Sequence, residues 1–383
     1  MKRYMPAITL RQFATALTIL FLAALSACQS AGTSDVLDIE GAAKAMAVAV
    51  TPEIIGEGDV QIALAAPLSG GQAGIGKEIR QGAELALADL GAGKLSLAIY
   101  DTAGEAGRVK GAAQAIAEAG TPFAAVAADP SLLGAFAPQG TLPLAFATNE
   151  MARPGGTLAF LPSASDSLVY GVRTALAARQ GEVVLFVPGE WPGSVAQALA
   201  QRLGRLATVH TISYRASQTS AQIAERARPH LSKAAVIAFA GNEAKIAQIV
   251  KALPLAPGMR PAIVGNMDWT GTLVSAESLN GALMPVPDSG GRDLVAGRYK
   301  ARFGTAPTAD ALYAYDFVAV AAGIVRSRGA EALNRATLTN DAGFRGATGA
   351  FRFRTDGRVE RLYAVKVIDN GKLKPLQGPA EGF

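Results

Sequence analysis

Ile62 to Leu87 reads IALAAPLSGGQAGIGKEIRQGAELAL, and inside it the spacing of apolar residues changes from that of a strand to that of a helix. Val60 to Ala66 is a short apolar run of strand length. Pro67, Leu68, Ser69 and Gly70 break it, and Gly71, Gly74 and Gly76 carry on a glycine-rich turn. From about Ile75 to Leu90 the apolar positions Ile79, Ala83, Leu87 and Leu90 fall on one face of a helix. Strand, turn and helix in that order open a unit whose next strand lies parallel to the first.

The same rhythm runs outward from this stretch. Strands are expected over Leu95–Tyr100, Phe123–Ala127, Leu142–Ala147, Val183–Val187, Thr208–Tyr214, Ala234–Phe239 and Pro261–Val264, with Ala-rich helical segments in most of the gaps. Near the C-terminus the pattern changes. A helix from about Ala309 to Ser327 is followed by an antiparallel meander in which Phe351, Phe353, Tyr363, Val365 and Val367 alternate with polar residues. Asp356-Gly357 and Asn370-Gly371 are dipeptides that hairpin turns favour. Many parallel units closed by antiparallel strands predict an α/β fold of two similar, Rossmann-like lobes, the second completed by the C-terminus.

The N-terminus reads as an export signal. Lys2, Arg3 and Arg11 give a basic start, and Phe13 to Leu25 is an uncharged apolar run too short to span a bilayer comfortably. Leu25, Ser26, Ala27 and Cys28 follow, and this is the single cysteine of the chain, so no intramolecular disulfide can form. Residues from Gln29 to about Gly58 are small, polar and acidic, as in a flexible tether that could reach on the order of 100 Å when extended. Half of all residues are hydrophobic, enough for a substantial core. Loss of the three basic signal residues lowers the formal charge from +5 to +2, which makes nucleic acid a poor partner.

Enzymatic chemistry has little to stand on. His210 and His230 are the only histidines, neither lies near a nucleophile or a metal ligand in sequence, and both read as surface residues. No nucleophile elbow, phosphate-binding loop or zinc spacing is present, so no catalytic residue, metal or cofactor is assigned. The glycines after the first strand, with Asp101 ending the second, imitate a dinucleotide site, but their spacing fails that fingerprint. A better guide is that open parallel sheets bind ligands beyond the carboxyl ends of their strands. Those loops hold Ser69, Asp129, Ser131, Thr148, Asn149, Trp191, Asn242, Asp268 and Trp269, which would suit a small polar or zwitterionic ligand. The plain alternative for each polar residue is a helix cap. Arg345, Arg352, Arg354, Arg358 and Arg361 cluster around the meander and read either as a solvated hairpin face or as a surface for an anionic partner.

Three stretches resemble the type I periplasmic binding proteins of the leucine-binding kind: Ile62–Leu87, the helix segment ALYAYDFVAV at Ala311–Val320, and the ending GATGAFRFRTDGRVERLYAVKVIDNGKLKPL. Leu25 to Cys28 likewise resembles a bacterial lipobox. The resemblance covers nearly all of Val60 to Leu376. It implies two lobes joined by three crossovers, near Leu161–Asp166, Met284–Asp288 and Thr337–Asp341. It divides the chain into a signal (1–27), a tether (28–58), lobe 1 (59–163 and 286–337) and lobe 2 (164–285 and 338–378). By the same resemblance, Asp129 to Ser131 and Ala147 to Asn149 match loops that hold a ligand carboxylate, and Asp268 matches the acid that holds its ammonium. Gly241, Asn242 and Trp191 match other positions at the site. Asp129 departs from the pattern, because an acid there would repel a carboxylate by about 1 to 4 kcal/mol at contact.

Two functions follow from the resemblance. One is a periplasmic, lipid-anchored receptor that captures an amino acid or related small solute and delivers it to an ABC permease. The other is a lipoprotein similar to penicillin-binding protein activators, which uses the same fold to stimulate a peptidoglycan synthase. Gln29 after the lipidation site leaves an inner- or outer-membrane address open.

Overall fold

A computed structural model of the protein describes residues 39–91 and 93–383. The signal segment and Cys28 lie outside the described residues. The stretch expected as a tether is folded from Ile39 onward. Ile39–Lys44 forms helix α1 with Ala42 buried, and Glu53–Ile55 forms strand β1. Backbone groups hold this strap down: Val48 N donates to Gly107 O at 2.9 Å, and β1 pairs antiparallel with Leu95–Asp101. Arg80 grips Glu53 at 2.6 Å. The strap has no hydrophobic period to read because main-chain pairing, which any sequence can make, carries most of its attachment.

Lobe 1 is built on β2 (Val60–Ala66), α2 (Ala73–Ala86, prolonged by one wide turn to Gly91), β3 (Leu95–Asp101), α3 (Ala106–Glu118), β4 (Phe123–Val126), β5 (Leu142–Ala145) and β6 (Leu158–Ala159). The strand order is β1-β3-β2-β4-β5-β6, and all but β1 run parallel. Lobe 2 holds α4 (Ala164–Ala177), β7 (Glu182–Pro188), α5 (Gly193–Gly204), β8 (Val209–Tyr214), α6 (Ser220–Leu231), β9 (Ala234–Phe239), α7 (Lys245–Ala252), β10 (Ala262–Val264), α8 (Gly271–Val274) and β11 (Leu283–Pro287). The chain returns to lobe 1 with α9 (Arg292–Phe303), α10 (Ala309–Arg328) and α11 (Arg335–Leu338). A small antiparallel sheet follows, of β12 (Phe344–Gly346), β13 (Gly349–Phe353) and β14 (Val359–Arg361). Then β15 (Tyr363–Asp369) and β16 (Lys372–Gln377) close the lobe 2 sheet in the order β16-β15-β11-β10-β9-β7-β8.

The two-lobe α/β architecture with mostly parallel sheets agrees with the sequence reading. Three boundaries differ from it. The strap belongs to lobe 1, and the third crossover falls at Arg361–Tyr363 instead of Thr337–Asp341. The reason is packing: Phe351, Phe353 and Val359 turn inward onto the same core as Phe160, Tyr313 and Phe317, so the small sheet stays with lobe 1. Phe160 meets Phe351 edge-on, with ring centroids 5.2 Å apart. The second crossover comes just after β11, whose residues pair within the lobe 2 sheet, instead of at Met284–Asp288. At the last hairpin, Asn370 (φ 49°) and Gly371 (φ 74°) both adopt the left-handed backbone that a tight two-residue turn requires.

Helix α10 is apolar nearly all round, and it is buried nearly all round, between the lobe 1 sheet and the small sheet. It crosses α2 at Gly82. A Cβ on Gly82 would stand 1.9 Å from the carbonyl oxygen of Ala311. Gly82→Ala is therefore expected to lower stability by about 1–3 kcal/mol through overpacking. Intrinsic propensity works the other way, since alanine is the better helix former by about 1 kcal/mol. Equilibrium urea unfolding reads the sign, and a raised midpoint would mean that the helix pair can part freely. Among the described residues no helix is long and apolar enough to cross a membrane.

Candidate functional site

From β2 onward in lobe 1, and from β7 onward in lobe 2, the chain reverses its progress across the sheet once. Lobe 1 steps from β2 outward to β3 and returns to β4 on the other side of β2, and lobe 2 does the same from β7 to β8 and back to β9. The loops separate at such reversals and leave a crevice beyond the strand ends. Ser69 and Asp129 stand at the lobe 1 reversal, and Trp191 and Asn242 at the lobe 2 reversal.

The lobe 2 crevice is a cavity of about 180 Å³ lined by Glu190, Trp191, Asn242, Glu243, Asn266 and Asp268, among others. Three of the nine loop residues expected from sequence, Trp191, Asn242 and Asp268, thus line one cavity. Buried Asn266 organises them. Its amide donates to Ala240 O at 2.8 Å and Gly241 O at 2.9 Å, and its Oδ1 accepts from Asp268 N at 2.9 Å. Trp269 Nε1 donates to the same Gly241 carbonyl at 3.0 Å. Trp269 is only 2% exposed, so this indole is core and serves the site from beneath. Asp268 stands at the open rim, yet the surrounding walls desolvate it enough to raise its carboxyl pKa. Tyr214 O–H donates to Glu243, whose other oxygen accepts from Asn242 N at 3.0 Å. Desolvation, reinforced by Glu243, pushes the Tyr214 phenol far upward, so it stays a donor.

The five lobe 1 candidates do not line this cavity, and most of their polar atoms are engaged within lobe 1 or at the hinge. Ser69 Oγ donates to Asp101 at 2.6 Å, and the other oxygen of Asp101 gathers the N–H groups of Leu68, Ser69 and Ala103. Burial works against ionised Asp101, but Ser69, these N–H groups and Arg108 outweigh it and lower its pKa. The residue that imitated a dinucleotide-binding acid is therefore the anchor of the Pro-Leu-Ser-Gly loop. Asp129 accepts from the Oγ and N of Ser131, at 2.6 and 2.9 Å, which lowers its pKa and keeps it charged. The carbonyl of Thr148 accepts from Arg153 at 3.4 Å. Asn149 is fastened to both backbone groups of Val359 and to Asp166. It belongs to a latch across the hinge, in which Arg202 pairs with Asp166 and Glu150 accepts from Ser163 Oγ at 2.8 Å.

Solved structures with this arrangement exist. A putative branched-chain amino acid ABC transporter protein from Rhodospirillum rubrum superposes with a TM-score of 0.67 at 16% identity, covering 83% of this chain and 99% of that one. The chain has the type I periplasmic binding protein fold. A branched-chain amino acid ABC transporter periplasmic ligand-binding protein from Burkholderia xenovorans gives 0.59 at 16% identity, over 84% of this chain and 94% of its own. A substrate-binding protein from Desulfitobacterium hafniense in complex with Leu gives 0.56 at 18%, over 83% and 99%. No protein-family model matches the sequence, and no curated protein matches it either.

Within this type I binding-protein fold, the strand tips are acidic on both lobes. Asp101 and Glu150 have arginines near them, Arg108 at 3.4 Å and Arg202 at 4.0 Å. Asp129, Glu190, Glu243 and Asp268 have no cation within 4.0 Å among the described residues. Sequence reading passed over Glu190, Glu243 and Asn266. The usable signal was position, since Glu190 and Glu243 each adjoin a residue that was chosen. Among the described residues no group of three or more His, Cys, Asp or Glu is placed to hold a metal.

Proposed function

We propose that the protein is the solute-binding component of an ABC transporter, exported to the periplasm and held to a membrane through a lipid on Cys28. Its solute carries a positively charged amine that enters the lobe 2 crevice among Glu190, Glu243 and Asp268. The observation that carries this reading is the set of strand-tip carboxylates without a partner cation. A ligand carboxylate placed against them would lose about 1–4 kcal/mol per contact, whereas an ammonium or guanidinium would gain a comparable amount. Trp191, half-buried at the rim, adds an aromatic wall that suits a cation. The fold-mates described above are named for branched-chain amino acids or hold Leu. The acidic tips argue that this chain has moved toward basic amino acids, diamines or guanidines.

Besides the lipid anchor and the departures in the ligand loops, the cell-wall reading has two supports in the sequence, a long tether and an arginine-rich hairpin. With residues 39–58 folded onto lobe 1, Gln29 to Asp38 is what separates the lipid site from the fold, a reach of at most roughly 35 Å. Arg361 is buried, and Arg352 is paired with Glu360. Both supports are weaker, and the receptor reading is preferred.

A melting-temperature panel decides between them. Putrescine, lysine and arginine are expected to stabilise the protein, by about 2.7 kcal/mol at 100 times the dissociation constant. Leucine and glutamate should leave it unchanged. A leucine or glutamate response equal to that of the cations removes the amine assignment, and flat curves for every compound remove the receptor.

A further inference from the structure

The arginine cluster singled out in the sequence does not form one solvated face. Arg345 pairs with Asp288 near the second crossover, while Arg352, Arg354, Arg358 and Arg361 line a cavity of about 420 Å³ at the third. Arg173 of α4 and Arg202 of α5 complete its wall from lobe 2. Six arginines thus line it with three residues that carry side-chain carboxylates, Asp166, Asp356 and Glu360.

Three of the arginines have acidic partners: Arg202 with Asp166, Arg352 with Glu360 at 2.6 Å, and Arg354 with Asp341 at 3.5 Å. The other three have no carboxylate within 4.0 Å among the described residues. Arg173 and Arg358 are exposed, with Arg173 lying over the Tyr170 ring at 5.0 Å. Arg361 is only 6% exposed. Its terminal nitrogens donate to the carbonyls of Phe160 and Thr348, its Nε has no hydrogen-bond partner, and Phe160, Tyr313 and Phe351 surround it. Asp316 acts on it only from farther away. A guanidinium kept in such a place, without a contact carboxylate, is costly for a hinge that apolar packing alone could build. Its field reaches the cavity it lines, and the exposed forks of Arg173 and Arg358 supply the donors that planar oxyanions prefer.

We propose that this hinge cavity binds a small polyvalent oxyanion, a phosphate ester or a polycarboxylate, which bridges Arg358 on the lobe 1 side to Arg173 on lobe 2 within the field of Arg361. The site is separate from the strand-tip crevice, sharing no lining residue with it. Its occupant couples the lobes from the hinge side.

The test titrates inorganic phosphate and citrate into the protein at fixed ionic strength, balanced with sodium chloride, and follows the melting temperature. Three forms are compared: the natural protein, the double variant Arg173→Ala/Arg358→Ala, and a control, Arg205→Ala, on the exposed end of α5. A saturable rise is expected in the natural and control forms, with at least a tenfold weaker midpoint in the double variant. Saturation by phosphate at the lower concentration identifies a phosphate ester, and by citrate a polycarboxylate. No saturable rise with either anion overturns the proposal, as does an equal rise in the double variant. Both substituted arginines are exposed, so the double variant should fold, which its unperturbed melting temperature without anion verifies.

Discussion

Asp316→Ala is expected to lower the unfolding free energy by about 2–5 kcal/mol, read by equilibrium urea denaturation. Asp316 is 1% exposed on α10, within the Ala-Tyr-Asp stretch. Its carboxylate accepts from Ala347 N at 2.7 Å, Thr348 N at 2.8 Å and Thr348 Oγ1 at 2.5 Å. Those donors form the turn between β12 and β13, so one side chain ties the central helix of lobe 1 to the small sheet. Alanine would leave two backbone N–H groups without a partner in a place that water reaches poorly, and each such orphan costs about 1–3 kcal/mol. Asp316→Asn keeps one acceptor oxygen and should fall between the two. A loss below about 0.5 kcal/mol, the level of ordinary surface substitutions, would mean that the turn is held by other contacts.

Asp268→Asn is expected to weaken binding of a cationic solute by about 1–4 kcal/mol, the range for one contact charge pair between bulk water and a protein surface, where the rim places this carboxylate. Isothermal titration with the best compound of the panel measures it. Acidity should act in the same direction. Desolvation raises the Asp268 pKa in the folded protein. The cation needs the ionised form, so affinity is lost as pH falls through that raised value, and the Asn variant should lack this dependence. The unliganded protein responds oppositely. A carboxyl whose folded pKa exceeds its unfolded one favours the folded state while protonated, so its contribution fades as pH rises. Natural protein and Asn variant should therefore differ in apo stability more favourably for the natural protein at acidic pH than at neutral pH. Undiminished affinity in Asp268→Asn, together with a flat pH profile, would dismiss the lobe 2 crevice as the amine site.

Legibility differed between fold and site for physical reasons. Strands such as Val60–Ala66 and Ala234–Phe239 could be bounded from sequence because they are buried continuously and stop at turn residues. The strap could not, since backbone pairing to β3 and a close approach to α3 leave no side-chain period. At the candidate site, Trp191, Asn242 and Asp268 were found by the rule that ligands gather at strand ends. Asn149 obeyed the same rule, yet its amide closes on Val359, far away along the chain. Arg361 falls in phase with Val359 and Tyr363, so the two-residue period puts it on the inward face, whereas Arg352 alternates outward between Phe351 and Phe353. What that period does not show is that aromatic rings and backbone carbonyls receive the guanidinium.

By itself the sequence determined the alternation of strands and helices, the parallel sheets and the hairpins at the end. These depend on hydrophobic period, turn chemistry and composition, which act over a few residues. Only the tertiary structure decided which tips share a crevice, where the chain crosses between lobes for the third time, and which arginines keep no partner. Those outcomes depend on contacts between residues hundreds of positions apart, such as Phe160 with Phe351 and Asn149 with Val359. Such pairs are fixed by how whole layers pack, and a local stretch of sequence carries no record of its partner.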